Sequence, residues 1–263
     1  MKIFKPFKLS LIMVAALAGF LPQSKADISL GSAGNFAVLG GSGVANTGNT
    51  VLNGDLGVYP SSTISGFGPG IVNGTTYVGG LDAQHAMDDL ATAYNLLHSE
   101  AYTEDLTGQN LGGLTLAPGV RNFSSSAQLT GPLTLDAGGD SNARFDFLIG
   151  SSLTTASGSS VTLINGAQAD NVYWQVGSSA TLGSDTSFGG SILAAQSITM
   201  NTRASMSGRA LALNGAVTLD DNLITDPAET PDTPEPATCW LFAVCLCGFG
   251  VWEWFAVRRR KAV

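Results

Sequence analysis

The chain has 263 residues, a length that one large domain or two small ones can account for. Charged residues make up only 12% of it, about half the usual share in soluble domains, and the formal net charge is −8. These values exclude a protein that binds nucleic acid through clustered basic side chains. The 44% of hydrophobic residues also argues against a disordered chain.

Residues 1–26 have the pattern of a secretory signal peptide. Three lysines within the first eight residues precede an apolar stretch from Leu9 to Leu21, and Ser24-Lys25-Ala26 provides a cleavage site with small residues at its two ends. A membrane anchor is the alternative, but the apolar stretch is short for a membrane-spanning helix. We therefore expect export, with a mature chain that begins at Asp27.

The C-terminal end has three ordered parts. Residues 227–236 form a stiff, acidic, proline-rich linker that contains Pro234-Glu235-Pro236. Residues 237–257 form an apolar run long enough for a transmembrane helix, and residues 258–263 form a basic tail that should stay cytoplasmic. This order resembles the PEP-CTERM sorting signal of Gram-negative bacteria; a simple C-terminal anchor is the alternative.

The resemblance to a sorting signal implies a route through the cell. The chain would cross the inner membrane and be anchored transiently through residues 237–257. An exosortase-type processing enzyme would then cleave near the motif. We expect the product at the cell surface or secreted.

Residues 27–226 remain as the body of the exported protein. Together with the linker, as far as Pro236, they contain four arginines, no lysine and nineteen acidic residues, which gives a net charge of −15. All three cysteines lie within residues 237–257, so no disulfide can stabilise the body. Its surface must consist largely of neutral residues such as Ser, Thr, Asn and Gly.

From residue 113 onward, a short unit of an apolar residue, a threonine and a second apolar residue recurs. Its threonines follow one another at intervals of 19, 20, 27, 18 and 19 residues, with Leu153-Thr154-Thr155 as a looser copy: Thr115, Thr134, Thr154, Thr181, Thr199 and Thr218. A repeat of about 20 residues is typical of solenoids, and the alternation within each unit is that of a β-strand. We expect a triangular parallel β-helix with these threonines in one outward ladder. A β-sandwich is the competing interpretation.

The segment from Leu81 to Tyr102 breaks the β pattern. Its apolar residues recur at helical spacing: Ala83, Met87, Leu90, Tyr94 and Leu97. Asp82 is placed to cap the helix at its start. The segment predicts one α-helix packed alongside the solenoid.

The body has no recognisable catalytic or metal-binding pattern. His85 and His98 are 13 residues apart, which does not match the spacing of a helical metal site. The sequence contains no nucleophile elbow, phosphate-binding loop or zinc-protease motif. We therefore expect no enzyme activity, no cofactor and no bound metal.

Six segments, in order along the body, carry a resemblance to a known family. They are residues 30–39 (LGSAGNFAVL), 53–58 (NGDLGV), 114–120 (LTLAPGV), 153–160 (LTTASGSS), 171–177 (NVYWQVG) and 208–212 (GRALA). Over residues 30–225 the chain resembles the DUF3494 family of ice-binding proteins. The resemblance implies a mostly β fold, namely a discontinuous right-handed β-helix that N-terminal residues complete, with an accompanying helix.

The same resemblance points to candidate site residues. Ice-binding members carry short Thr-Ala/Gly-x-Thr/Asn stretches on one flat face. Thr47-Gly48-Asn49-Thr50 matches this pattern fully, and Thr155-Ala156-Ser157-Gly158 matches it in the first half. Thr202-Arg203-Ala204-Ser205 departs from it, because Arg203 stands where a small residue is expected.

The threonine ladder and the resemblance to ice-binding proteins together predict a protein that adsorbs to ice and ordered water through a flat Thr/Ser-rich face. The candidate residues are Thr47, Thr50, Thr154, Thr181, Thr199, Thr202, Ser205 and Thr218. The alternative is a structural or adhesive protein of the cell surface or biofilm matrix, on the same scaffold but without strong ice affinity. The sorting signal and the departures from the motif favour that alternative.

Overall fold

A computed structural model of the chain describes residues 28–227. They form three β-sheets, A, B and C, in which every pair of neighbouring strands is parallel. The chain visits the sheets in turn, as a solenoid of triangular section requires, and the all-parallel pairing excludes the β-sandwich. The signal peptide, the PEP motif, the apolar run at 237–257 and the basic tail lie outside the described residues.

Nearly every coil contributes one strand to sheet A. In spatial order its nine strands are β7 (Thr76–Val78), β4 (Asp55–Val58), β1 (Phe36–Gly40), β22 (Ala210–Ala212), β19 (Ser191–Ala194), β16 (Val172–Val176), β13 (Phe145–Ile149), β10 (Gly119–Phe123) and β8 (Glu104–Asp105). A short 3-10 helix, Ala169–Asn171, leads into β16.

Sheets B and C form the other two sides. Sheet B consists of β11 (Ala127–Leu129), β14 (Leu153–Thr155), β17 (Ala180–Leu182), β20 (Ile198–Met200), β23 (Ala216–Asp220), β2 (Gly43–Thr47) and β5 (Ile64–Ser65). Sheet C consists of β6 (Ile71–Val72), β3 (Val51–Asn53), β24 (Leu223–Thr225), β21 (Ser205–Ser207), β18 (Ser187–Gly189), β15 (Ser160–Ile164), β12 (Pro132–Asp136) and β9 (Thr115–Leu116).

The solenoid is discontinuous in sequence. The last coil, β22 to β24, pairs with the coil formed by β1 to β3, so N-terminal residues extend the stack at its C-terminal end. The side chain of Arg209 reinforces this junction, because it bonds the carbonyl oxygen of Gly34 at 2.7 Å and the carboxylate of Asp226 at 2.6 Å. The expectation that N-terminal residues complete the solenoid is confirmed.

Inward-facing residues from all three sheets fill the interior. Trp174 is fully buried and stacks on Phe147, with ring centroids 3.8 Å apart, and the ring of Phe188 packs against it in a tilted orientation at 5.0 Å. The indole nitrogen of Trp174 donates a hydrogen bond to the carbonyl oxygen of Gly189, so this large side chain is buried without an orphan donor. Burial of such side chains stabilises a fold that lacks disulfides in its described part.

One α-helix among the described residues, α1, spans Gly80–His98 and lies on the outer surface of sheet A. Its buried residues are Ala83, Ala86, Met87, Leu90, Ala93 and Leu97. They pack against a row of apolar side chains that point outward from sheet A: Leu39, Leu148, Tyr173, Leu193 and Leu211. A 3-10 helix, Gly31–Asn35, covers the same side near β1.

The helix is confirmed, with two differences from the sequence-based expectation. It ends at His98 rather than near Tyr102, and Ser99 follows as its C-cap. The N-cap is Gly79, which makes no side-chain capping bond, and Asp82 lies in the first turn. A carboxylate in that position stabilises the helix through the dipole rather than as a cap.

Candidate functional site

The threonine ladder lies on sheet B. Thr154 pairs with Thr181, Thr181 with Thr199, and Thr199 with Thr218, on the successive strands β14, β17, β20 and β23. The residues on either side of each threonine are buried, so every threonine of the four points outward. Neighbouring hydroxyls therefore repeat at the strand spacing of about 4.8 Å.

Residues in the same register continue the ladder in both directions. Gln128 precedes Thr154 at one end, and Ala45 and then Ser65 follow Thr218 at the other. Thr154 and Thr218 are exposed, whereas Thr181 and Thr199 are half-buried because each has a threonine on both neighbouring strands. The stiff χ1 of threonine holds methyl and hydroxyl groups in a regular array.

A column of serine hydroxyls lies beside the ladder, two residues earlier in each of four coils and directly before β11, β14, β17 and β20. It consists of Ser126, Ser152, Ser179 and Ser197. The hydroxyl oxygen of Ser179 accepts a hydrogen bond from the amide of Ser197 at 3.3 Å, which fixes its orientation. Sequence reasoning missed this column, although the repeated Ser-x-Thr at residues 152–154, 179–181 and 197–199 was a signal that could have found it.

The structure splits the expected single ladder. Thr134 pairs with Thr115 on one side and with Thr162 on the other, all on sheet C, and not with Thr154 on sheet B. On the next strand of sheet C the same position is occupied by Gly189, so the threonine column on sheet C ends after three residues. The single-face ladder predicted from spacing is therefore corrected to two columns on different sheets.

Thr50 lies in the interior. Its side chain is fully buried at the corner between sheets B and C, and its hydroxyl oxygen accepts a hydrogen bond from the amide of Asn222 at 3.0 Å. Thr47, at the other end of the matching stretch, is exposed at the end of β2. The stretch Thr47-Gly48-Asn49-Thr50 therefore turns the corner, and only its first threonine belongs to the outer surface of sheet B.

The remaining candidates lie beyond the edge of sheet B. Thr202 is in the turn after β20, where its hydroxyl donates a hydrogen bond to the carboxylate of Asp220. Ser205 is the first residue of β21 and so belongs to sheet C. The structure thus brings Thr154, Thr181, Thr199 and Thr218 together, places Thr47 and Thr202 at the margin, and removes Thr50 and Ser205 from the face.

A column of left-handed residues marks the corner between sheets B and C. We call this column the corner ridge: Gly158, Asp185, Arg203, Asp221 and Gly48, stacked by backbone hydrogen bonds from coil to coil. The guanidinium of Arg203 bonds both carboxylate oxygens of Asp185, at 2.8 and 2.9 Å. These bonds, with the nearby charges of Asp185, Asp221 and Asp220, raise the pKa of Arg203 above its ordinary value.

The three sides of the solenoid differ in what they offer to a ligand. Helix α1 covers sheet A. Sheet C carries hydroxyls at one end but an apolar row at the other, where Leu223 and Ile71 are 47% and 54% exposed on either side of Val51. Sheet B alone combines an uncovered surface with four threonines in unbroken register; the charged residue in its strands, Asp220, lies at the end of β23.

No group of three or more His, Cys, Asp or Glu side chains within residues 28–227 is arranged to hold a metal ion. In the same part of the chain, no helix has both the length and the apolar character needed to cross a membrane.

Comparison with known proteins decides the family. Residues 38–225 match the family described as Ice-binding-like. The chain belongs to this family. It is 51% identical over 259 residues to an ice-binding protein of Nostoc sp. strain HG1, an alignment that covers 95% of this chain and 94% of the relative. It is 33% identical to an ice-binding protein of Flavobacterium frigoris strain PS1, over 76% of each chain.

Solved structures agree with this assignment. An ice-binding protein from an Antarctic biological consortium is 48% identical and superposes with a TM-score of 0.75, covering 76% of this chain and 91% of the other. An ice-binding protein of the Antarctic ascomycete Antarctomyces psychrotrophicus has the same TM-score at 39% identity, covering 77% and 99%. The β-solenoid with one accompanying helix is thus the fold of this family.

Proposed function

We propose that this protein binds ice through the outer surface of sheet B and thereby inhibits ice growth or recrystallisation. One observation carries the proposal: four threonines lie in register on neighbouring strands of sheet B, a side of the described solenoid that the helix leaves uncovered. Several relatives of 30% identity or more are named ice-binding proteins, which supports the same function.

The mechanism is adsorption and requires no catalytic group. Threonine methyls disfavour strong local hydration, and the hydroxyls hydrogen-bond to water at regular intervals of about 4.8 Å along the solenoid. Along the direction of the strands, the Ser and Thr columns lie about 6.7 Å apart, the length of two residues in an extended chain. Water held in such an array can join the ice lattice, and the bound protein then pins the growing front.

The face is arranged to remain rigid while it binds. The side chains beneath the ladder, among them Leu182, Ile198, Met200 and Val217, have no solvent exposure. A packed interior of this kind deforms little, so the hydroxyl groups are already in position before the protein binds ice. Binding then costs little ordering of the protein.

Ice recrystallisation with the purified protein tests the proposal. We expect small ice grains to persist at micromolar protein, and Thr181→Tyr to abolish the effect because the ring stands above the flat array. The matched control is Thr162→Tyr, an exposed threonine on sheet C, which should leave activity unchanged. Absence of activity in the unmodified protein would favour the alternative, a surface or matrix protein on this scaffold.

The route to the cell surface is part of the proposal. Residues 1–26 direct export, and Pro234-Glu235-Pro236, residues 237–257 and residues 258–263 form a sorting signal that an exosortase-type enzyme processes. The support is the ordered sequence pattern, together with an alignment to the Nostoc protein that covers more of the chain than residues 28–227. Mass spectrometry of the exported protein should find cleavage near the motif, and Glu235→Gln should prevent it.

A further inference from the structure

The corner ridge contains a conflict between backbone and side chain. Asp185, Arg203 and Asp221 have φ of 57°, 59° and 55°, the left-handed conformation that disfavours residues with a Cβ. The coils on either side use Gly158 and Gly48 at the same position. The three strained residues belong to the coils of Thr181, Thr199 and Thr218, so charge replaces glycine beside the centre of the ladder.

The ion pair on this ridge stays in water. The side chains of Arg203 and Asp185 are 60% and 53% exposed, and their bidentate bond bridges two neighbouring coils along the solenoid axis. Such a pair adds little to stability, because water screens it and the long side chain loses freedom. Burial of either charge against ice would require removal of its hydration water, which is costly.

The ridge also separates two surfaces of similar chemistry. Ser187 and Ser205 lie on sheet C, two residues after Asp185 and Arg203 respectively. Ser187 pairs with Ser205 on one neighbouring strand and with Ser160 on the other. On the other side of the ridge, Thr181 and Thr199 occupy the same two coils on sheet B. Without the charged side chains, hydroxyl-bearing surface would continue around the corner.

We infer that the Asp185–Arg203 pair is a specificity element that confines ice contact to sheet B. The pair holds its hydration shell at the corner, so ice ordered on the threonine ladder cannot extend onto Ser187 and Ser205. The protein therefore presents one flat face and binds a restricted set of ice planes. This inference rests on the proposed function, because it assigns a boundary to the same face.

The test is the double variant Asp185→Gly/Arg203→Gly. It leaves the net charge unchanged and gives both positions the residue that the flanking coils already use. We expect the fluorescently labelled variant to bind additional planes of a single-crystal ice hemisphere and to show larger thermal hysteresis than the unmodified protein. If the glycine variant fails to fold, Asp185→Asn/Arg203→Asn tests the same point, since asparagine tolerates the left-handed conformation.

Asn165→Gly is the matched control. Asn165 has φ of 52°, so the control also introduces glycine at a left-handed position, but it lies in the turn after β15, away from sheet B. This variant should bind the same planes as the unmodified protein. Equal plane sets for the unmodified protein and the double variants would overturn the inference, whereas an unmodified protein without any ice activity would overturn the proposed function itself.

Discussion

The amide nitrogen of Asn222 donates a hydrogen bond of 3.0 Å to the hydroxyl oxygen of Thr50, although 172 positions separate the two residues in the chain. Both are buried at the corner between sheets B and C, where the N-terminal coil stacks on the C-terminal one. Thr50 is the second threonine of a stretch that matches an ice-binding pattern, but its hydroxyl group stabilises the contact between these two coils.

Replacement of Thr50 by valine should destabilise the fold. Valine keeps the shape but leaves the buried amide of Asn222 without an acceptor, which costs about 1–3 kcal/mol in the free energy of unfolding. Ice activity per folded molecule should not change. Denaturant unfolding and recrystallisation assays measure the two effects, with the exposed Thr47→Val as a control that should shift stability by less than about 0.5 kcal/mol. Lost activity with unchanged stability in the Thr50 variant would contradict this assignment.

The sequence predicts the architecture because the coil is encoded locally. Each coil repeats a strand unit, and the buried neighbours of Thr181, Thr199 and Thr218 show the period of two that the structure uses. The helix can likewise be predicted from the sequence, since the spacing of apolar residues from Ala83 to Leu97 fits one side of a helix. These features depend on residues close in the chain.

The assignment of threonines to faces could not be read from spacing alone. Thr134 and its partner Thr162 are one full coil apart, at an interval of 28 residues, because loops at the corners lengthen that coil. Thr134 and Thr154 differ by 20 residues, which resembles the length of other coils but corresponds to a passage from sheet C through sheet A to sheet B. Variable corner length therefore hides the register.

The direction of a corner residue is similarly hidden. Thr47 is exposed and Thr50 is buried, on either side of a turn in which Gly48 has φ of 79°. A local pattern match treats both as equivalent. Only the stack of Thr50 with Asn222 in the next coil shows the difference.

Arg209 should be essential for the closure of the solenoid. Its side chain is 3% exposed and connects Gly34, Asp170 and Asp226, which belong to the N-terminal segment, a central coil and the end of the last coil. Arg209→Met removes the positive charge from this buried site, and loss of one partner of a buried ion pair costs about 3–5 kcal/mol. Thermal unfolding should show a large decrease.

The exposed Arg203 provides the contrast for Arg209. Its bond to Asp185 lies in water, so Arg203→Gly should leave the unfolding temperature almost unchanged. Equal losses of stability in the two variants would show that the Arg209 network does not hold the N-terminal coil in place.

Acid should weaken the fold through particular carboxylates. The side-chain amide of Asn165 and the backbone amide of Gly138 each donate a 2.8 Å hydrogen bond to Asp136, and they hold its pKa below the ordinary value. Because the folded pKa is lowered, the stabilisation is complete above the unfolded pKa of about 3.9 and is lost as the pH falls through the folded pKa.

Asn165→Gly tests this origin of the pKa of Asp136. The variant removes the amide that contributes most, so NMR titration should find the pKa of Asp136 closer to its ordinary value. Asp105 is an internal control, because Thr107 lowers its pKa at a different corner and the substitution should not affect it. An unchanged pKa of Asp136 would show that Asn165 does not determine it.

The ladder on sheet B can be lengthened. Ala45 occupies the position that follows Thr218 in register, and Ser65 follows it on the next strand. Ala45→Thr would add a fifth threonine to the unbroken array, and we expect larger thermal hysteresis at equal molar concentration. Stability should change by less than about 1 kcal/mol, the span of strand propensities. The control, Ser207→Thr, places a threonine at an exposed strand position on sheet C and should have no effect. An increase of the same size in both variants would mean that ice does not distinguish the two sheets, and sheet B would then lose its special role.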